Sequence, residues 1–210
     1  MARWNLEEAE PRRLATEINS KNAGALISVM RRRTPPNTLE AIPLGTPSEK
    51  VRERLGVQDV IDGNRWKYRF EDTQVEIAFD AAGSVKTLVI ALVCNSQFRG
   101  VGATFGDFVL GALTINELME MGHQTQIYRS SLRTKELVVP VRTGPGGAWD
   151  ECYFGALVVH SGVGWLAETD FQWSETGDQL TSSPDRTTLN WVGVGVDDGE
   201  APYFDWYIKA

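Results

Sequence analysis

Trp66, Tyr68 and Phe70 alternate with Lys67 and Arg69, and Val75, Ile77 and Phe79 alternate with Glu76 and Ala78. A period of two marks a half-buried strand. Asp80-Ala81-Ala82-Gly83 supplies turn residues before a more fully apolar run, Val85 to Val93, so residues 66–93 predict a three-stranded meander. Further strand-like runs stand at Glu136 to Val141, Cys152 to His160, Trp165 to Trp173, Asn190 to Val196 and Tyr203 to Ile208. Gly144-Pro145-Gly146-Gly147 and Glu175 to Arg186 interrupt them.

Helical spacing marks two stretches of the first half. Leu14, Ile18, Leu26, Ile27 and Met30 place a helical segment over Leu6 to Arg33, divided by the polar stretch Asn19 to Gly24. Arg31-Arg32-Arg33 suit the last turn of a helix, and Pro35-Pro36 stop it. Thr46-Pro47-Ser48-Glu49 reads as a second start, with Thr46 as cap, Pro47 at the first helical position and Glu49 three residues after the cap. Val51 and Leu55 share a face, and Gly56 ends the helix.

This frame recurs. Leu44-Gly45 and Leu55-Gly56 enclose one helix; Leu110-Gly111 and Met121-Gly122 enclose another at an offset of 66 residues (110 − 44 and 122 − 56). Ser48 matches Thr114 at the same offset. The expectation is an α+β fold of two tandem modules, each made of helices followed by an antiparallel β-sheet. Residues 1–94 hold the helical N-terminal stretch and the first module. Residues 95–106, with Gly100, Gly102 and Gly106, form a linker, and residues 107–210 form the second module.

The run from Ile42 to Leu92 resembles the BamE family of outer-membrane assembly lipoproteins. Leu44, Gly45, Val51, Leu55, Gly56, Trp66, Tyr68, Val75, Ile77, Phe79, Asp80, Gly83 and Val85 carry the match. Two such units in tandem are similar to β-lactamase inhibitory proteins, and Glu151-Cys152-Tyr153-Phe154-Gly155 resembles a segment of uncharacterised bacterial proteins. The resemblance implies a non-enzymatic, protein-binding scaffold. The chain departs from the lipoproteins in having no lipidation cysteine and no signal peptide.

Composition narrows the partners. Hydrophobic residues are 42% and charged residues 23%, as in ordinary globular proteins. A net charge of −7 opposes nucleic acid and anionic membranes, and it favours another protein as partner, one with basic groups. The longest apolar run, Val85 to Cys94, is broken by Lys86 and Thr87 and is too short for a membrane span. The polar, charged first thirteen residues lack the apolar core of a signal peptide, so a cytoplasmic protein is expected. Cys94 and Cys152 allow one disulfide; two free, buried thiols are the plainer reading.

Candidate chemistry is thin. His123 and His160 lie outside any metal-ligand spacing, and no set of residues suggests a catalytic centre, a metal or a cofactor. Cys152 and His160 are eight residues apart, far beyond hydrogen-bond reach on one strand rising roughly 3.3 Å per residue. The glycines of 100–106 and 193–195 lack a phosphate-binding context, and Asp197-Asp198-Gly199-Glu200 reads as a solvated hairpin tip. Aromatic residues are the stronger signal: five of seven tryptophans lie in the second half. Trp165 and Trp173, eight apart, share a strand face, and Tyr153 joins them from a neighbouring strand as partner-binding candidates. The expected function is therefore a protein-binding scaffold acting through the second sheet, as an inhibitor, an immunity-type protein or an assembly accessory factor. The alternatives are a small hydrolase working through Cys152, His160, Asp150 or Glu151, and a structural subunit of a bacterial or phage assembly.

Overall fold

The computed structural model describes residues 32–93, 96–101, 106–143, 150–160, 166–176 and 179–205. The helical stretch expected over Leu6 to Arg33 lies, but for its last two residues, outside them. Residues Thr34–Ala210 form one compact unit.

The alternating runs pair as their patterns predict. Strands β1 (Val60–Asp62), β2 (Arg65–Arg69), β3 (Thr73–Phe79) and β4 (Val85–Leu92) form an antiparallel meander. The Asp80 turn closes it: the Asp80 carboxylate accepts from the N–H groups of Ala82 and Ser84, both at 2.9 Å. In the second half β7 (Ile127–Ser130), β8 (Thr134–Thr143), β9 (Asp150–Val159) and β10 (Trp191–Val194) are likewise antiparallel. Strands β5 (Phe98–Gly100) and β6 (Phe108–Leu110) make a separate two-stranded ribbon, so β5 falls in the stretch expected as linker.

The two halves do not form two helix-plus-sheet modules. Their strands make one eight-stranded sheet in the order β1-β2-β3-β4-β10-β9-β8-β7. The physical reason is the edge of the last strand in each half. Both β4 and β10 would otherwise leave a row of main-chain groups unpaired, and they satisfy them on each other, from Trp191 opposite Ala91 to Val194 opposite Leu88. The helices are also minor: α1 (Thr38–Ala41), α2 (Ser48–Leu55) and α3 (Ile115–Glu120).

The repeated Leu-Gly frame survives as local geometry. Gly45 and Gly111 both adopt positive φ, 82° and 89°. Each then donates its N–H to the start of a central strand's segment, Gly45 to Val85 O at 2.8 Å and Gly111 to Leu189 O at 2.9 Å. The caps differ from the expectation. Pro47 is the N-cap of α2, and the Thr46 hydroxyl donates to Pro43 O instead. The reciprocal capping box stands in the second frame, between Thr114 and Glu117. Bridges Pro47–Ser84 and Thr114–Thr188 make Pro47, not Ser48, the counterpart of Thr114.

Two strand expectations fail. Trp165 to Trp173 is not a strand where described, with single bridges only at Leu166 and Trp173. Here the chain follows side chains instead of a ladder: Asn190 Nδ2 binds Ala167 O at 2.8 Å, and the Thr169 hydroxyl binds Thr188 O at 2.6 Å. Residues 203–205 are also not a strand.

The sheet has two unlike faces. One carries Ile77, Leu88, Ile90, Leu137, Phe154 and Val192 beneath α2 and α3, whose Val51, Leu55, Ile115 and Leu118 complete the main core. The other face carries no helix among the described residues, yet β3 is buried at all its positions, Gln74 and Glu76 included.

Candidate functional site

The helix-free face is built by the alternation itself. The polar positions of β2 and β3 place Arg65, Lys67, Gln74 and Glu76 side by side, through the pairs Arg65–Ala78 and Lys67–Glu76. On β7 and β8 Arg129 stands opposite Glu136. Between these charged ends lies a small apolar patch of Val89, Ala91, Val138, Leu157 and Trp191. The Trp191 indole lies over Gly155, where a Cβ would sit 2.1 Å from Nε1. Only glycine fits beneath it.

A segment from later in the chain covers this face. After β10, Asp197 and Glu200 close a tight turn with mutual main-chain bonds at 2.9 and 3.0 Å. Residues 201–205 then run across the strands without regular structure of their own. The contacts follow that path. Arg129 reaches Glu200 at 3.1 Å, and Pro202 lies over Gly193 of β10. Phe204 packs on Trp191 with ring centroids 5.5 Å apart, and Arg65 Nη1 donates to Tyr203 O at 2.9 Å. Asp205 is held at both its main chain and its side chain. Its N–H donates to Glu76 Oε2 at 3.1 Å, its carbonyl accepts from Gln74 Nε2 at 3.1 Å, and its carboxylate accepts from Lys67 Nζ at 2.7 Å.

The charges interlock. Arg65 binds Glu76 at 2.9 Å and Asp197 at 2.6 Å, and Lys86 reaches Asp197 at 2.9 Å. Glu76 and Lys67 side chains are only 2% and 8% exposed. Hydrogen bonding from Lys86, then from Arg65, holds the Asp197 carboxyl below its ordinary value despite some desolvation. Glu136 behaves oppositely: burial pushes its carboxyl up to about 6, against the pull of Arg129 and the Trp191 indole. At the other end of β9 the Tyr153 hydroxyl donates to Glu151 at 2.5 Å and lowers that carboxyl.

The three residues picked from the sequence do not converge. Tyr153 lies on the helix-free face but is 5% exposed and packed in the smaller cluster. Trp173 is half-buried against the main core, stacked on Tyr128 at 5.0 Å. Trp165 lies outside the described residues, as does Cys94. Of the hydrolase candidates, Cys152 is buried on the core side, its thiol raised by desolvation, whereas His160 is exposed just past the far end of β9. Glu151 is engaged by Arg142 and Tyr153, and the Asp150 side chain is not among those described. No cluster of metal-ligating side chains stands among the described residues.

Arg65, Lys67, Gln74 and Arg129 were not singled out by sequence: alternation makes Lys67 a solvated position, and no strand is expected at β7, which carries Arg129. The residues that cover them come from far along the chain: Lys67 and Asp205 are 138 positions apart. The acidic run Asp197 to Glu200 was the available signal, and it reads as a solvated tip until the sheet beneath it is known. Comparison with known proteins gives no match among family models, curated proteins or solved structures.

Proposed function

We propose that this chain is a non-enzymatic protein-binding scaffold of the cytoplasm, acting as an inhibitor, an immunity-type protein or an assembly accessory factor through the helix-free face of its sheet. One observation carries the reading: that face holds a polypeptide segment by its main chain. Gln74, Glu76 and Arg65 bind the N–H and C=O of Asp205 and the C=O of Tyr203, while the apolar patch seats Phe204. Main-chain bonds from a fixed floor with one aromatic anchor are a general way for a protein to grip a peptide. A charge of −7 draws basic surfaces at long range, and the cations of this face select acidic groups at short range. The resemblance of residues 42–92 to the BamE family belongs to the same proposal and rests on the Leu-Gly helix entry and exit, the aromatic strand and the hairpin that follows.

The test is affinity capture from native cytosol with three tagged chains: the intact one, an Arg65→Ala/Arg129→Ala variant of the face, and Val57→Ala at an exposed site. A protein held near one-to-one by the intact chain and by Val57→Ala, and lost from the face variant, is the expected result. Equal retention by the face variant overturns the reading.

A further inference from the structure

We infer that residues 201–205 are an internal ligand of the helix-free face, and that this face takes a segment of a partner protein carrying a carboxylate beside an aromatic residue, in exchange for them. The inference rests on the binding-scaffold reading and adds the partner's chemistry and its control.

Three features of the contact argue for exchange. First, the floor is chemically specific. Lys67 meets the Asp205 carboxylate, Glu76 its N–H and Gln74 its C=O, so one residue of the segment is read at side chain and main chain together. Gln74 Oε1 remains a buried acceptor without a partner among the described residues, leaving room for one more donor from a ligand. Second, the charges are complementary. Arg65, Lys67, Lys86 and Arg129 stand on the sheet, and Asp197, Glu200 and Asp205 on the covering segment. A replacement must supply carboxylates, which excludes a basic peptide. Third, the polar end of the hold adds little net cohesion. Ion pairs drawn out of water lose in desolvation much of what they gain in attraction, so the polar end contributes specificity more than cohesion. Tyr203 remains 58% exposed, and Phe204 is the apolar anchor.

The outgoing segment also has a place to pivot. The turn before it contains Asp198, the one non-glycine residue at positive φ (51°) among those described, followed by Gly199 at 84°. Asp197 stays bound to Arg65 and Lys86 while residues 201–205 lift, so release need not disturb β10.

The test uses a fluorescent synthetic peptide with the sequence of residues 197–205, titrated onto the intact chain and onto full-length Asp205→Ala. An internal ligand raises the apparent Kd by the inverse of the fraction of time the face is uncovered, so a face uncovered about a tenth of the time gives Asp205→Ala about tenfold tighter binding of the peptide than the intact chain. Replacing the peptide's last Asp by Asn should undo the gain. Amide chemical shifts map the site, with changes expected at residues 65–69 and 74–76. They also show whether Asp205→Ala is folded; Asp205→Asn, which keeps the size of the side chain and removes the charge that meets Lys67, serves if it is not. Equal affinity for both chains, shifts elsewhere, or a dimer that exchanges these segments between two copies would overturn the inference. Capture of a cytosolic protein at this face with no peptide exchange would leave the scaffold reading intact and remove the internal ligand alone.

Discussion

The two faces of the sheet are both buried, for different physical reasons. The helix-covered face is mainly apolar: Ile77, Leu88, Ile90, Leu137 and Val192 are each 0% exposed, and α2 and α3 close over them. Its cohesion comes from removing hydrocarbon from water, which is strong and indifferent to sequence detail. The helix-free face is buried beneath a loop, over a floor of Arg65, Lys67, Gln74 and Glu76. Its cohesion comes from directional contacts whose net contribution is small and whose geometry is demanding. Burial alone therefore does not distinguish a stabilising surface from a recognising one; the kind of contact does.

The largest expected effects test whether the first face is the stabilising one. Leu88→Ala removes a fully buried side chain from the centre of the helix-covered face and should cost about 3–4 kcal/mol of unfolding free energy, measured by urea denaturation. Gly155→Ala strikes the apolar patch of the other face. Its new methyl meets the Trp191 indole and Trp191 is 0% exposed, so a cost of about 2–3 kcal/mol is expected. A Leu88→Ala cost below that of Gly155→Ala would reverse the contrast between the faces.

Glu136 sharpens it with a sign. Its folded carboxyl titrates near 6, above the ordinary carboxylate value, so the native state holds this proton more tightly than the unfolded chain does. The stabilising effect of that proton is full below about pH 4.5 and is lost as pH rises through 6. At pH 7 the buried charge works against folding. Glu136→Gln is expected to raise stability by about 1–2 kcal/mol at pH 7 and by nothing at pH 4. Denaturation midpoints at the two pH values decide it; a loss at pH 7 would mean that Arg129 and Trp191 outweigh the desolvation.

Much of this architecture was legible as alternation. β2, β3 and β4 follow from Trp66, Tyr68, Val75 and Ile77 on one side of the chain, and the helix entry from Leu44-Gly45 and Leu110-Gly111. What the pattern does not encode is which edge meets which. A strand's period is the same whether β4 ends a small module or pairs with β10, so the single sheet was not visible. Nor does it encode what covers a polar face. Lys67 and Arg69 read as solvated, whereas Lys67 is buried and meets the Asp205 carboxylate on the return of residues 197–205. The same return bears on Tyr153: the pattern joins it to Trp173 on one face, whereas it lies in the smaller cluster with Phe204 and is 5% exposed. Trp173 failed through the opposite error, an aromatic residue placed on a strand that does not form and that instead packs against Tyr128.

The smallest expected effect is the most informative about the second face. Lys67→Met combined with Glu76→Gln removes both nearly buried charges while keeping the length of each side chain. If the polar floor stabilised the fold, losing it would be severe, because Glu76 also holds Arg65. If it recognises the covering segment, the desolvation relieved offsets the attraction lost, and global stability changes by less than about 1 kcal/mol. The segment itself should loosen, since Asp205 loses the cation at its carboxylate and its N–H faces a neutral amide. Amide exchange at residues 203–205 is then expected to speed up while β3 and β4 keep their protection. A cost of 3 kcal/mol or more shared by the whole sheet would make this face a second core, and the distinction between the two faces would disappear.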